Sequence, residues 1–201
     1  MARKFDEVLW GTELFLNEDI YVKTRTIFLH CDAEGLDTPE ATKFIKQIHV
    51  LNSLSTEDPI TVMMNCVGGS VIDGMAIYDA IQHSAAPIKI IAFGYVCSMA
   101  TVILQAASNR VLAPNVAFMI HIGSVAYEGH PTDVRNWRKF DEHMSEQIDL
   151  IYLKRINERK PKFTVKDLKK ILEHDTVLNA TQAISMGLAD SILGEDDGTT
   201  T

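Results

Sequence analysis

Three residue types able to cooperate in acyl transfer occur in the order Ser98, His121 and Asp175. A serine hydroxyl is a weak nucleophile. It becomes effective when an imidazole takes its proton and a carboxylate holds that imidazole in the right tautomer. Attack on a carbonyl also creates an oxyanion, which backbone N–H groups at glycines or helix starts can meet. Met99 directly follows Ser98, and Gly68-Gly69 forms a second place where backbone can approach a bound peptide closely. By spacing alone, structural roles outweigh chemical ones, because Gly-Gly turns, capping serines and strand-end histidines are common in α/β domains.

The elements that must position these residues follow from the hydrophobic pattern. Short β-branched and apolar runs alternate with helical patterns, which predicts an α/β fold with a mostly parallel sheet. Strands are expected at 26–31, 60–65, 88–93 and 116–122, the last of them carrying His121 at its end. Thr38 is read as the cap of a helix whose first residue is Pro39 and which runs to about Leu54. Gly68-Gly69 turns the chain into a helix with Val71, Met75, Tyr78 and Ile81 at helical spacing, and Ser98 opens another. A long helix spans about 132–159 and is stopped by Pro161. Its positions Met144, Ile148, Ile151 and Tyr152 form a stripe that would be exposed on a monomer. Thr164 with Asp167 and Asn179 with Gln182 start two capped helices, and Asp175 lies in the loop between them.

Composition narrows the function classes. At 201 residues and 46% apolar, the chain is read as one domain over 1–193, followed by an acidic, disordered tail over 194–201. A net charge of −8 argues against nucleic acid as a partner. No apolar run is long enough for a membrane span and no signal-peptide core follows Met1, so the expected location is the cytoplasm. Cys31, Cys66 and Cys97 are an odd number without a C-x-x-C pair and are read as reduced thiols, Cys97 as a packed core residue. None of the seven histidines forms H-E-x-x-H, so neither a metal nor another cofactor is expected. His174 adjoins Asp175; the remaining histidines are read as structural.

Motif order carries more information. Asp19-Ile-Tyr with Arg25-Thr-Ile-Phe-Leu, Gly68-Gly-Ser-Val with Gly74-Met-Ala-Ile-Tyr-Asp, and Cys97-Ser-Met-Ala form the first part of a series. Met119-Ile-His121, Thr132-Asp133 and Gly187-Leu-Ala-Asp-Ser-Ile-Leu193 complete it. From about Asp19 to Leu193 this series resembles the proteolytic subunit of the Clp protease.

The resemblance implies Ser98 as nucleophile, His121 as general base, Asp175 as orienting acid, and Gly69 and Met99 as oxyanion donors. It also implies a crotonase-like fold of repeated βαβ units with a protruding helix, and one or two seven-membered rings of identical subunits around a chamber. Substrates would be peptides and unfolded proteins, fed by an ATP-driven AAA+ unfoldase. Val67 stands where the family usually has Pro, and Ile122-Gly123 where it has Gln-Pro; the apolar segment from Lys4 to Leu16 also departs from the family's axial-loop sequence. Two other readings remain at this point. One is a crotonase-like acyl-CoA enzyme, which needs no such triad; the other is a non-catalytic ring subunit.

Overall fold

The computed structural model describes residues 15–31 and 33–195. The expected N-terminal apolar segment up to residue 14, and all but the first two residues of the expected tail, lie outside them. Gly194 and Glu195 are described, and the Glu195 N–H donates to the Ile192 carbonyl in a tight turn.

The sheet contains β1 (Ile20–Tyr21), β2 (Thr26–His30), β3 (Ile60–Cys66), β4 (Ile88–Cys97), β5 (Asn109–Leu112), β6 (Ala117–Ile120), β7 (Thr176–Leu178) and β8 (Ser191–Ile192). Its main path runs β1-β2-β3-β4-β5-β8, and β6 joins β4 and β7 off that path. Strands β2, β3, β4 and β5 are parallel, as expected for βα units. Buried Ile60, Val62, Met64 and Cys66 alternate along β3, and Ile88, Ile90 and Ala92 line the same layer on β4.

Among the described residues the longer helices are α1 (Thr38–Leu54), α2 (Val71–Gln82), α3 (Met99–Leu104), α4 (Pro131–Arg159), α5 (Val165–Leu172) and α6 (Ala180–Met186). Both expected capping boxes are present, Thr164 with Asp167 and Asn179 with Gln182. The start of α1 differs from expectation. Asp37, not Thr38, is the cap, because its extended backbone brings a carboxylate oxygen to within 3.1 Å of the Glu40 N–H. Thr38 thus becomes the first helical residue.

On α2 the expected Met75, Tyr78 and Ile81 pack against the core, where Gly74 and Ile77 are also buried, while Val71 is exposed. A Cβ at Gly74 would stand 2.2 Å from Met99 Cγ, so the missing side chain there makes room for Met99.

At about 1.5 Å per residue, α4 is roughly 43 Å long. Its C-terminal half is anchored in the core by Tyr152, Leu153 and Ile156. The expected exposed stripe is therefore corrected. Tyr152 is buried, and Ile148 and Ile151 pack against the core. Trp137, Phe140 and Leu150 are the exposed large apolar residues of α4.

A strand absent from the sequence reading, β5, carries Arg110, which is only 2% exposed. Its guanidinium is bound by Asp190 through Nε–Oδ2 (3.0 Å) and Nη2–Oδ1 (2.5 Å), and Nη1 donates to Gln105 Oε1 (2.6 Å) and the Gly187 carbonyl (3.0 Å). The Arg110 N–H also donates to Asp190 Oδ2 (2.8 Å). Residues 80 apart are thereby joined across the edge formed by β5 and β8. Burial acts to raise the Asp190 carboxyl, but the hydrogen bonds and charge of Arg110 outweigh it and hold the group below its ordinary value.

Because the folded-state value is depressed, this stabilisation is present above the unfolded value and is lost as pH falls through the folded one. Asp190→Asn should cost about 3 kcal/mol near neutral pH, since it leaves a buried guanidinium without its countercharge. In urea unfolding as a function of pH, the gap between parent and variant should narrow as the solution becomes more acidic than the ordinary carboxylate value of 3.8. A gap of constant size would count against the assignment.

Candidate active site

The site begins with an irregularity in β4. Between paired positions Met64–Ala92 and Cys66–Val96, β3 advances two residues and β4 advances four, so Phe93, Gly94 and Tyr95 include a bulge. Gly94 has φ +56°, and a Cβ there would lie 2.8 Å from Asn65 Oδ1. That same Asn65 oxygen accepts the Tyr95 N–H at 2.9 Å, filling the ladder bond that the bulge leaves open. Beyond the bend, β4 leaves β5 and pairs with β6 from Tyr95 to Cys97. The sequence places the end of this strand at Phe93 and reads Gly94-Tyr-Val-Cys97 as the connection into the next helix.

Ser98 follows at once, between β4 and α3, with φ +53° and ψ −124°. A non-glycine residue in this conformation is strained by about 1–3 kcal/mol. The neighbouring hydrogen bonds hold it there. Its N–H donates to the Met119 carbonyl (2.8 Å), and its own carbonyl accepts from the Thr101 N–H (2.9 Å) and Thr101 hydroxyl (2.6 Å). Thr101 Oγ1 is 2.5 Å from Tyr152 Oη, and both residues are buried. The sequence reading missed Thr101 and placed Tyr152 on an outer face. Thr101 falls on one face with Ser98 at helical spacing, which was the available signal.

His121 lies directly after β6, whose register with β4 places Met119 beside Cys97. Its Nε2 is 2.8 Å from Ser98 Oγ, and its Nδ1 is 3.1 Å from Asp175 Oδ1. Asp175 precedes β7, which runs antiparallel to β6 and pairs Thr176 with Ile120. That pairing brings residue 175 next to residue 121. The structure thus joins the three sequence-derived residues in one hydrogen-bonded chain. The Asp175 side chain is 69% exposed and that of His121 is 28% exposed.

Gly68 and Gly69, both at positive φ, form the turn after β3. A Cβ on Gly68 would come within 2.8 Å of Ser98 Cβ and 3.0 Å of Met99 N, so this glycine is packed directly on the serine turn. A Cβ on Gly69 would meet the Leu36 backbone at 2.3 Å. Leu36 donates to Gly68 and accepts from Ser70, leaving the Gly69 N–H outside that exchange. Among the described residues neither Gly69 nor Met99 donates its N–H to a protein acceptor. Two unsatisfied backbone donors beside Ser98 suit an oxygen that acquires negative charge.

A cleft adjoins Ser98 and His121, with Val71, Val102, Ile148 and Leu172 as apolar walls. Asp149 and Lys169 also line it, paired at 2.6 Å. Neither was singled out from the sequence. Cys97, beside the serine, is buried, and that burial pushes its thiol up, away from thiolate reactivity. Among the described residues no cluster of His, Cys, Asp and Glu could hold a metal ion, and no helix is long and apolar enough to cross a membrane.

A profile of the Clp protease family matches residues 16–196. The chain is 30% identical over 182 residues to a Deinococcus radiodurans protein named ATP-dependent Clp protease proteolytic subunit, covering 88% of this chain and 85% of that one. It is also 30% identical over 174 residues to the ATP-dependent Clp protease proteolytic subunit 2 of Pseudomonas aeruginosa, covering 86% and 82% respectively.

The close seat of Gly68 gives a direct test of the geometry. Gly68→Ala should slow reaction of Ser98 with a fluorophosphonate probe by about 10²-fold, because the added methyl must move the serine away from His121 Nε2. Thermal melting separates this effect from global unfolding. Labelling of a folded Gly68→Ala protein at the parent rate would show that the turn does not position Ser98.

Proposed function

The chain belongs to the Clp protease family, and from that premise we propose that it is a serine endopeptidase cutting peptides and unfolded proteins through an acyl-enzyme at Ser98. The observation that carries this reading is His121 bridging Ser98 Oγ at 2.8 Å and Asp175 Oδ1 at 3.1 Å. Ser98 Oγ attacks the scissile carbonyl carbon and passes its proton to His121 Nε2. Asp175 accepts the Nδ1–H and stabilises the imidazolium. The Gly69 and Met99 N–H groups receive the oxyanion. His121 then protonates the departing amine, and water, deprotonated by the same imidazole, releases the acyl group from Ser98. The apolar-walled cleft seats the side chain next to the attacked carbonyl. No metal or organic cofactor takes part.

A crotonase-like acyl-CoA enzyme would share paired backbone donors but has no use for the Ser98–His121–Asp175 chain, which favours the peptidase. The intact hydrogen-bond sequence likewise favours an active subunit over a non-catalytic one.

The active form is a homo-oligomer of one or two seven-membered rings in the cytoplasm. Ile122, Val125, Trp137, Phe140 and Leu150 leave apolar surface exposed around the site and along α4, which supports burial against further copies. Asp175 is too exposed in the single chain to exclude water from the triad. No G-x-x-x-x-G-K-[ST] phosphate loop occurs in the sequence, so ATP is used by a partner unfoldase of the AAA+ class.

Ser98→Ala should abolish turnover of a short fluorogenic peptide while leaving oligomer size unchanged. His121→Ala and Asp175→Ala should be severely impaired, and the double variants should be little worse than the poorer single one, because the three groups act as a unit. Turnover by Ser98→Ala near the parent rate would refute the reading. Independently, sedimentation should give a ring-sized species, and combined Trp137→Glu and Phe140→Glu substitutions should shift it to smaller ones. A parent that is monomeric and fully active at micromolar concentration would overturn the assembly.

A further inference from the structure

Beneath the Gly68-Gly69 turn lie two thiols that the proposed peptidase chemistry does not use. Cys66 ends β3 and is fully buried, while Cys31 follows β2 and is 6% exposed. The last paired positions of these parallel strands are His30 and Asn65, and the Cys31 N–H still donates to the Asn65 carbonyl at 3.1 Å. Cys31 and Cys66 are the next residues along, so they stand side by side on one face of the sheet. Neighbouring strands lie roughly 4.8 Å apart, within the Cα separation that a disulfide spans.

Cys66 Sγ accepts the Gly68 N–H at 3.4 Å, and its S–H donates to the Gly68 carbonyl at 3.9 Å. The Cys31 thiol and the Gly68 N–H together hold the Cys66 thiol below its ordinary value, although burial opposes them. Cys31 reaches the wall of a polar cavity shared with His30, Glu34, Gly35 and Glu40, which admits a small polar oxidant. Cys97 is directed elsewhere, toward the Ala117 carbonyl.

We propose that Cys31 and Cys66 form a peroxide-oxidised dithiol, and that their disulfide withdraws Cys66 Sγ from Gly68 and so impairs the Ser98 site. The Cys31 thiolate, at the cavity wall, attacks one oxygen of hydrogen peroxide, the O–O bond breaks, and the departing hydroxide takes up the thiol's proton to become water. Cys31 is then a sulfenic acid. The Cys66 sulfur attacks the Cys31 sulfur, the S–O bond breaks, and hydroxide leaves as water with the Cys66 proton. Two thiols and one peroxide thus become one disulfide and two waters. The structural consequence passes through Gly68, whose α-carbon is packed on Ser98 and Met99.

The experiment treats the full chain with hydrogen peroxide, blocks free thiols, digests it and maps cross-linked peptides by mass, alongside turnover of a short fluorogenic peptide. The expected result is a Cys31–Cys66 cross-link, a fall in turnover of about tenfold or more, and recovery of both with dithiothreitol. Cys31→Ser replaces the sulfur by a small hydroxyl that cannot form the disulfide; it should keep basal turnover and resist peroxide. Absence of the cross-link after the thiols are consumed would overturn the proposal. Equal inactivation of Cys31→Ser, or a full cross-link with unchanged turnover, would do the same. The effect on turnover rests on the peptidase reading, whereas the cross-link is read by mass. A chain inactive before oxidation therefore counts against that reading, and the cross-link alone decides this one.

Discussion

Strand β4 belongs to two sheet regions, and the bend at Gly94 that allows this governs the rest of the site. Below the bend, β4 pairs with β3 and β5 and contributes fully buried side chains to the core. Above it, the strand turns toward β6 and ends at Cys97 beside Met119. A straight β4 would continue along β5 and lose the register that sets Ser98 opposite the end of β6. Asn65 makes the bend tolerable by accepting the Tyr95 N–H, and only a residue without Cβ fits at 94 against that carboxamide. Asn65 and Gly94 therefore depend on each other.

The strained backbone at Ser98 rests on this bend. Each of the three hydrogen bonds on its N–H and carbonyl contributes about 1 kcal/mol, together enough to offset a strain of about 1–3 kcal/mol. The strain points the hydroxyl out of α3 toward His121, while Met99 starts the helix and leaves its N–H unsatisfied. Serine here acts as neither strand residue nor ordinary cap; no side-chain cap bond is made. The glycine turn after β3 closes the arrangement from the other side, because the parallel pairing of β3 with β4 brings both strand ends to the same edge.

Much of this was legible in the sequence, and the failures have identifiable causes. The parallel βα order, α4 and both capping boxes follow from local periodicity and cap chemistry, which act over a few residues. Ser98, His121 and Asp175 could be named from residue type and motif resemblance. Strand β5 is not expected from the sequence, because it is only four residues long and half polar; the burial of Arg110 in it depends on Asp190, 80 positions away. Strand β7 is three residues long and is fixed by pairing with β6, which no local pattern reveals. The α2 face is legible at Met75, Tyr78 and Ile81 but not at Gly74, which counts as no hydrophobe, yet its emptiness is what accommodates Met99.

The relation between α4 and Ser98 shows why the long helix is more than a protruding surface. Its outer half leaves Trp137 and Phe140 in solvent, but Tyr152 on its inner half reaches Thr101, and Thr101 holds the Ser98 carbonyl. The Tyr152 hydroxyl is fully buried, and its burial raises the pKa, so the phenol stays neutral and acts as a fixed hydrogen-bonding group. Leaving either hydroxyl without its partner would cost about 1–3 kcal/mol, comparable to the strain stored at Ser98. The seating of α4 and the conformation of Ser98 are thus coupled by two short hydrogen bonds through one threonine. A contact that shifts α4 along its axis has to break the Tyr152–Thr101 bond or move Thr101, and moving Thr101 removes support from the serine turn. The side of the helix that can meet another copy and the side that steadies Ser98 belong to one rigid element, which ties the geometry of the site to whatever that helix packs against.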